Sequence, residues 1–424
     1  MENGVKKVML DNGLQVVLKE MHHAPVASFW IWYRVGSRNE MPGITGISHW
    51  VEHMVFKGTP TFPQGEFDKM VAREGGVFNG MTWLDWTTYF ETLPSDRFDP
   101  ALRIEADRMV NSLFDAQELE KERTVVISER EGAENFPEWL LEEEVQAVAY
   151  RLHPYRHQVL GWKQDLQSMT RDDLWQYYRA YYAPNNAIAV ATGDFQGDAL
   201  LARIEELFGV IPPGPELPVV RASEPPQRGE RRVVVEGEGQ TAYLLMVFHA
   251  VPATHPDYFP LVVLDTVLGG AKPMSFFGGA TGNRSSRLYK ALVDKELAAD
   301  VDSSMASTID PFLFSFSATL RPGRTLEEVE TALWAELERV AQEPITPEEL
   351  AKAIKQTRAQ FAYSSESVSN QGFWLGFSEV VASTEWFDSY LDNLAAVSAE
   401  DVQRVAREYL AKSRRTVGWY VPRG

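Results

Sequence analysis

The sequence holds no cysteine. That excludes disulfides, thiolate ligands and a cysteine nucleophile, so any zinc has to be held by histidine and carboxylate. Long apolar runs are missing as well: none reaches the roughly 18 uninterrupted residues expected of a membrane-spanning helix. The opening residues, MENGVKKVMLDNGLQVVL, carry no apolar signal core and no cleavage pattern, which fits a cytoplasmic protein, or a periplasmic one if the chain is a processed form. Positive charge is in deficit. The 41 Lys and Arg stand against 60 Asp and Glu, a net charge of −19, and such a chain repels nucleic-acid phosphates. The excess serves solubility; lining a cavity, it would attract basic peptides.

What is present suits a globular protein, with 44% hydrophobic and 24% charged residues. A chain of 424 residues is long for one core and suggests two domains. The clearest break is IPPGPELPVVRASEPPQRGE, 211–230, with six prolines and little apolar periodicity. The expected division is 1–212, a linker 213–230, and 231–424. The two parts share a pattern. TRDDLWQYYRAYYAPNNAIAVATG begins at Thr170 and SAEDVQRVAREYLAKSRRTVGWYV at Ser398; Asp173 matches Asp401, Arg179 matches Arg407 and Tyr181 matches Tyr409. Each reads as a capped helix followed by a strand. The expected fold is α+β, with two homologous domains, each a mixed, mostly antiparallel sheet flanked by helices. Within the first domain the order reads strand, strand, helix near 46–57, helix near 65–74, hairpin near 76–93, three helices and a last strand.

The helix in GISHWVEHMVFKG carries the strongest chemical signal. Thr45 or Ser48 can cap its start, and Gly58 and Pro60 suit its end. Ile47, Trp50, Val51, Met54 and Val55 make an apolar face. His49 and His53, four apart, stack on neighbouring turns and can reach one ion. Glu52 lies on the same side, placed to touch a water on that ion. A third ligand is required, and DAQELEKERTVVISEREGAEN offers Glu122 and Glu129, seven apart on nearly one helix face, with Val125 and Val126 between them to turn that face inward. Asp115 and Glu118 have the spacing of a capping box at its start. Spacing leaves both glutamates open as ligands. His153 and His157 are also four apart, but Pro154 takes His153 out of helical geometry, which suggests a loop with hydrogen-bonding roles. His22 and His23, adjacent near a strand end, point apart.

H-x-x-E-H followed by a helix with E-x6-E resembles the inverted-zincin metallopeptidases, among them pitrilysin, insulysin and the mitochondrial processing peptidase. HWVEHMVFKGTPTFPQGEF, EGGVFNGMTWLDWTTYFETLP, LEKERTVVISERE, HPYRHQVLG and YYAPNNAIAVATGD resemble family segments in the right order, and LGG and SSRLYKALVDKELA do so in the second half. The resemblance implies Zn2+ held by His49, His53 and Glu129, Glu52 as the base that takes a proton from water, and Glu122 as a supporting carboxylate. It also implies that Phe78, Asn79, Gly80, Met81 and Thr82 form an edge strand that pairs with substrate backbone, Asn79 near the scissile bond, with Gly80 where the family usually has alanine.

The resemblance fails at one place. Members of the family that act alone or as pairs usually present an Arg and a Tyr from the second half, in a frame L-R-E-K-x-G-L-A-Y. This chain reads LVDKELAAD over 292–300, with Val293 and Ala299 at those positions. Neither side chain can donate to an oxyanion. The departure points to a heterodimer in which this chain supplies zinc and a homologous subunit supplies Arg and Tyr; the alternative is a homodimer using Tyr289 or Arg287. A glycine-rich stretch, 269–289, has no phosphate-binding spacing and resembles the loop at that place in the noncatalytic subunit of the mitochondrial enzyme. The expected function is peptide-bond hydrolysis in short or unfolded peptides inside a closed chamber. The competing readings are a noncatalytic structural member of the fold and a peptide-binding member.

Overall fold

The stretch VASFWIWY, Val26–Tyr33, is apolar at nearly every position, and its surroundings explain why. In the computed structural model, which describes residues 4–272 and 284–423, it is an inner strand of a sheet covered on both faces. The first sheet comprises β1 (Val5–Met9), β2 (Gln15–Glu20), β3 (Val26–Tyr33), β4 (Val77–Thr82), β5 (Thr87–Pro94) and β6 (Ala187–Gly193). Its order is β1-β2-β6-β3-β5-β4, with β2 and β6 parallel and the other pairs antiparallel. β4 therefore forms one edge.

Alternation along β3 divides its side chains between two apolar layers. Ala27, Phe29, Ile31 and Tyr33 enter a core shared with the helices α1 (Ile47–Val55), α2 (Glu66–Arg73), α3 (Asp99–Asn111) and α4 (Ala116–Ala133). Trp30 and Trp32 face the other way. Trp30 stacks on Phe90 with centroids 4.2 Å apart, and Phe373 meets both tryptophans edge-on. Phe373 belongs to the helix Val368–Val381, which comes close because Gly372 and Gly376 lie against the tryptophans; a Cβ at Gly376 would sit 2.0 Å from Trp32 Nε1.

The second sheet comprises β7 (Arg231–Glu238), β8 (Tyr243–His249), β9 (Ala298–Met305), β10 (Leu313–Leu320) and β11 (Thr416–Arg423), in the order β7-β11-β8-β10-β9 with only β7 and β11 parallel. Leave out β1, and the two sheets have one topology: β2-β6-β3-β5-β4 corresponds strand for strand to β7-β11-β8-β10-β9. The matched segments carry matching caps. Thr170 and Asp173 form a capping box on the helix before β6, and Ser398 and Asp401 form one on the helix before β11. The α+β fold with two similar, mostly antiparallel sheets is as expected.

Residues 212–230 contain no regular element. The chain nevertheless does not divide into contiguous halves. One compact unit comprises Met1–Arg130, His157–Arg221 and Glu366–Phe387, and the other Glu131–Arg156, Ala222–Ser365 and Asp388–Gly424. Each half lends a helix to the other sheet. The helix Val368–Val381 covers the tryptophan face of the first. The helix Pro137–Ala149 lies on β11 of the second, so close that a Cβ at Gly418 would be 2.2 Å from Val145. Apolar periodicity marks these helices as amphipathic but does not say which sheet they cover. β1 and the short helix Lys163–Ser168 were also not anticipated, and more than three helices precede β6. The glycine-rich stretch lies largely outside the described residues. Among the described residues no helix is long and apolar enough to cross a membrane.

Candidate metal centre

The helix α1 packs Ile47, Trp50, Val51, Met54 and Val55 into the first core, each no more than 1% exposed. This leaves His49 and His53 on the opposite, partly open side. Its start differs from expectation. The N-cap is Gly46 at φ 87°, with no side-chain cap. The buried carboxylate of Glu40 accepts from the backbone N–H of Gly46 at 2.7 Å and of Ser48 at 2.9 Å. Thr45 turns instead to Asp165, to which its hydroxyl donates at 2.7 Å, and Ser48 Oγ meets Tyr177 at 2.8 Å. Glutamate takes this place because its longer side chain reaches the N–H groups left without helical partners from outside the helix and brings negative charge to its positive end.

The two imidazoles stand with centroids 4.6 Å apart. Burial, helped by the neighbouring His53, pushes His49 down to about 3, so its ring is neutral and its lone pair available near neutral pH. α4 brings the carboxylates. Its first turn is held by Asp115, which accepts from the N–H of Gln117 and Glu118. Glu129 Oε2 lies 3.7 Å from His49 Nε2 and 3.5 Å from His53 Nε2. Glu122 Oε2 is 3.0 Å from His53 Nδ1. The glutamates thus occupy opposite sides of His53: Glu129 sits with both Nε2 atoms, and Glu122 takes the other ring nitrogen. A proton on Nδ1 directed at Glu122 leaves Nε2 free to coordinate. Val126 is buried as expected, while Val125 is 40% exposed.

Among the described residues, His49, His53 and Glu129 are the one group of His and acidic side chains with ligand atoms all within 4.8 Å. Two imidazoles and one carboxylate fit zinc and leave a coordination position for water or substrate.

Glu52 lies beside this group, 8% exposed. Burial pushes its carboxyl up to about 7; a hydrogen bond from Thr82 and the nearby His53 oppose the shift, and Glu129 adds to it. Thr82 Oγ1 donates to Glu52 Oε2 at 2.6 Å. Positive charge brought to the three ligands favours the ionised form of this group.

The edge strand β4 lies along α1. Phe78 packs edge-on to Phe67 with centroids 4.8 Å apart, Asn79 is exposed and Met81 is buried. The hydrogen bond from Trp83 N to Trp86 O sets the ladder phase, so Asn79 and Met81 bond to β5 while Phe78, Gly80 and Thr82 turn their N–H and C=O to the free edge. Asn79 Oδ1 accepts from Gly80 N at 3.0 Å. Alanine at Gly80 would require the neighbouring side chains to shift. A Cβ there would be 2.8 Å from the Phe56 ring and 3.0 Å from Glu52 Oε1.

Three participants were not singled out from sequence: Glu40, Lys57, whose ammonium is 2.5 Å from Glu122 Oε1, and Thr82 in its contact with Glu52. Lys57 four residues after His53 was the one available signal. The remaining histidines lie outside the centre. His22 pairs with Asp194 and Glu20, His153 with Asp310, and His157 with Glu40.

Two family descriptions match the chain: "Insulinase (Peptidase family M16)" over residues 15–162 and "Peptidase M16 inactive domain" over 168–357. It is 32% identical to the zinc protease PqqE of Helicobacter pylori, over 98% of this chain and 93% of that protein. It is 28% identical to the mitochondrial-processing peptidase subunit beta of Lentinula edodes, over 95% of this chain and 86% of that protein. The crystal structure of a protease from Helicobacter pylori superposes with a TM-score of 0.92 at 30% identity, covering 99% of each chain.

Proposed function

The chain belongs to the insulinase family of peptidases, family M16, and on that premise we propose that it is the zinc-bearing subunit of a metalloendopeptidase that cleaves short or unfolded peptides within a closed chamber. The observation that carries this reading is the convergence of His49, His53 and Glu129 beside the buried Glu52.

His49 and His53 offer Nε2, Glu129 offers a carboxylate oxygen, and Glu122 orients His53 through Nδ1. Zinc, when bound, supplies Lewis acidity that polarises a carbonyl and makes water acidic. Glu52 takes the proton from the attacking water and returns it to the leaving amine. The free edge of β4 suits an extended peptide, which would pair with the backbone of Phe78, Gly80 and Thr82 after displacing the Asn79 carboxamide from Gly80 N–H. Such pairing reads backbone and imposes little side-chain specificity.

A partner subunit is part of the proposal. Val293 is buried and apolar, and Ala299 on β9 ends at a methyl group, so neither place offers an oxyanion donor. Of the two donors a homodimer would draw on, Tyr289 and Arg287, the second is held by two hydrogen bonds to Glu349 at 2.7 and 2.8 Å. The same missing donors favour the second reading, a member that binds zinc and peptide without turnover. The Lentinula relative is, by its name, a subunit.

The deciding experiment is cleavage of an unstructured peptide by the chain alone and with a homologous second subunit, each with and without chelator. Cleavage is expected with the second subunit and is abolished by chelator. Glu52→Gln retains zinc and loses turnover; cleavage by that variant at the parent rate would remove Glu52 from its role. Zinc binding without cleavage in either arm selects the peptide-binding reading, and no zinc binding selects the structural one.

A further inference from the structure

The strand that offers its edge to a peptide also touches the proposed base, at two points. Phe78, Gly80 and Thr82 share one face of β4, the face that lies over α1. From that face the Thr82 hydroxyl donates to Glu52 Oε2 at 2.6 Å. Oε1 of the same carboxylate lies where a Cβ on Gly80 would approach to 3.0 Å. One oxygen is tethered and the other rests against bare backbone. The direction of the tether follows from its surroundings. Thr82 Oγ1 is 3.3 Å from Thr87 Oγ1 on β5, but the Thr87 proton goes to the carbonyl of Val35 at 2.9 Å. The carboxylate is thus the acceptor for the Thr82 proton. Thr87 is fully buried and stands directly opposite Thr82 in the ladder, so the hydroxyl is backed by rigid sheet.

We propose that Thr82 is a positioning residue for Glu52: it transmits the alignment of β4 to the base, so the strand that receives a peptide also sets the carboxylate that acts on it. This rests on the proposed peptidase reading and goes beyond it. The edge strand is then more than a docking surface. Distortion of β4 at Thr82 misaims the base, while the metal ligands, which come from α1 and α4, stay in place. The backbone of Thr82 faces the free edge and its side chain faces the base, so peptide pairing and base orientation meet in one residue.

The test compares Thr82→Val, which keeps the shape and removes the hydroxyl, with Thr82→Ser, which keeps the hydroxyl. Both are made in the full chain, assayed with its second subunit where the parent needs one. Thr82→Val is expected to lower kcat by roughly tenfold to a hundredfold, as a misplaced catalytic group does, with KM and zinc affinity held. Thr82→Ser is expected to restore most of kcat. Crystal structures of the parent and Thr82→Val supply a readout independent of activity, and the Glu52 carboxylate should leave its place in the variant. An undisturbed Glu52 in Thr82→Val, or kcat equal to the parent, overturns the proposal, as does loss of zinc affinity equal to the loss in kcat. If the parent cleaves nothing with any partner, the peptidase reading fails, and the two structures still judge the positioning role.

Discussion

Glu122 is the residue on which the two halves of the site's logic meet. Its carboxylate lies between Lys57 at 2.5 Å and His53 Nδ1 at 3.0 Å, and it is 6% exposed. Glu122→Gln keeps the shape and removes the charge that holds the ring. Zinc affinity should fall by about tenfold to a hundredfold, the usual effect of losing a carboxylate behind a ligating histidine, as measured by chelator competition. A second buried acid, Glu91 on β5, allows a test with pH. Burial pushes its carboxyl well above the usual range; Glu105 adds to this, and Arg108, 3.7 Å away, opposes it. The folded chain therefore keeps a proton that the unfolded chain releases near the ordinary value of about 4.3. Stability contributed by the neutral acid is present below that value and is lost as pH rises towards the raised one. Glu91→Gln cannot ionise, so its urea midpoint relative to the parent should improve as pH rises from 5 to 9. A constant difference across that range would show that Glu91 is not protonated in the fold.

At the scale of elements, the sequence was most legible where function compresses chemistry into short spacing. H-x-x-E-H named α1 and three of its residues, and E-x6-E named α4, because helical periodicity places such residues on a face without help from the rest of the chain. The division of labour between Glu122 and Glu129 was not in the spacing, since both lie on nearly one face, and the resemblance supplied it. The cap of α1 was not in the local pattern either. Glu40 precedes the helix by seven residues, outside GISHWVEHMVFKG, and nothing in that stretch records that its carboxylate folds back onto the N–H groups of Gly46 and Ser48. That cap carries a measurable share of stability. Glu40→Ala removes the acceptor for two buried N–H groups and a partner of His157. It should destabilise the chain by about 1.5–3 kcal/mol in urea unfolding, the range of hydrogen bonds to a charged group, and should weaken zinc binding as α1 frays. An effect below half of the lower bound would mean that Thr45 or Ser48 had taken over the cap.

For the whole molecule, the duplicated topology was readable from two matched segments because capped helix and strand repeat as a unit. The distribution of helices between sheets was not, because it depends on contacts far apart in sequence. The charge of −19 has its consequence at this scale also. If the excess acid draws basic peptides to the chain, KM for a Lys-rich peptide should rise as salt is raised from 50 to 500 mM while kcat changes little, with a neutral peptide as control. Equal salt response for both peptides would mean that the charge serves solubility alone.

The helix Val368–Val381 completes the first sheet although it lies more than 170 residues after β6. On the ribosome, therefore, the strand that carries Trp30 and Trp32 is made long before its cover. During that interval the nascent chain holds an aromatic surface with nothing to bury it, a state that invites chaperones or aggregation. A fragment ending at residue 230 would be trapped there, and supplying 366–387 as a separate peptide should rescue its solubility. The order of synthesis, rather than the strength of the finished fold, would then set how much of this protein reaches its native state.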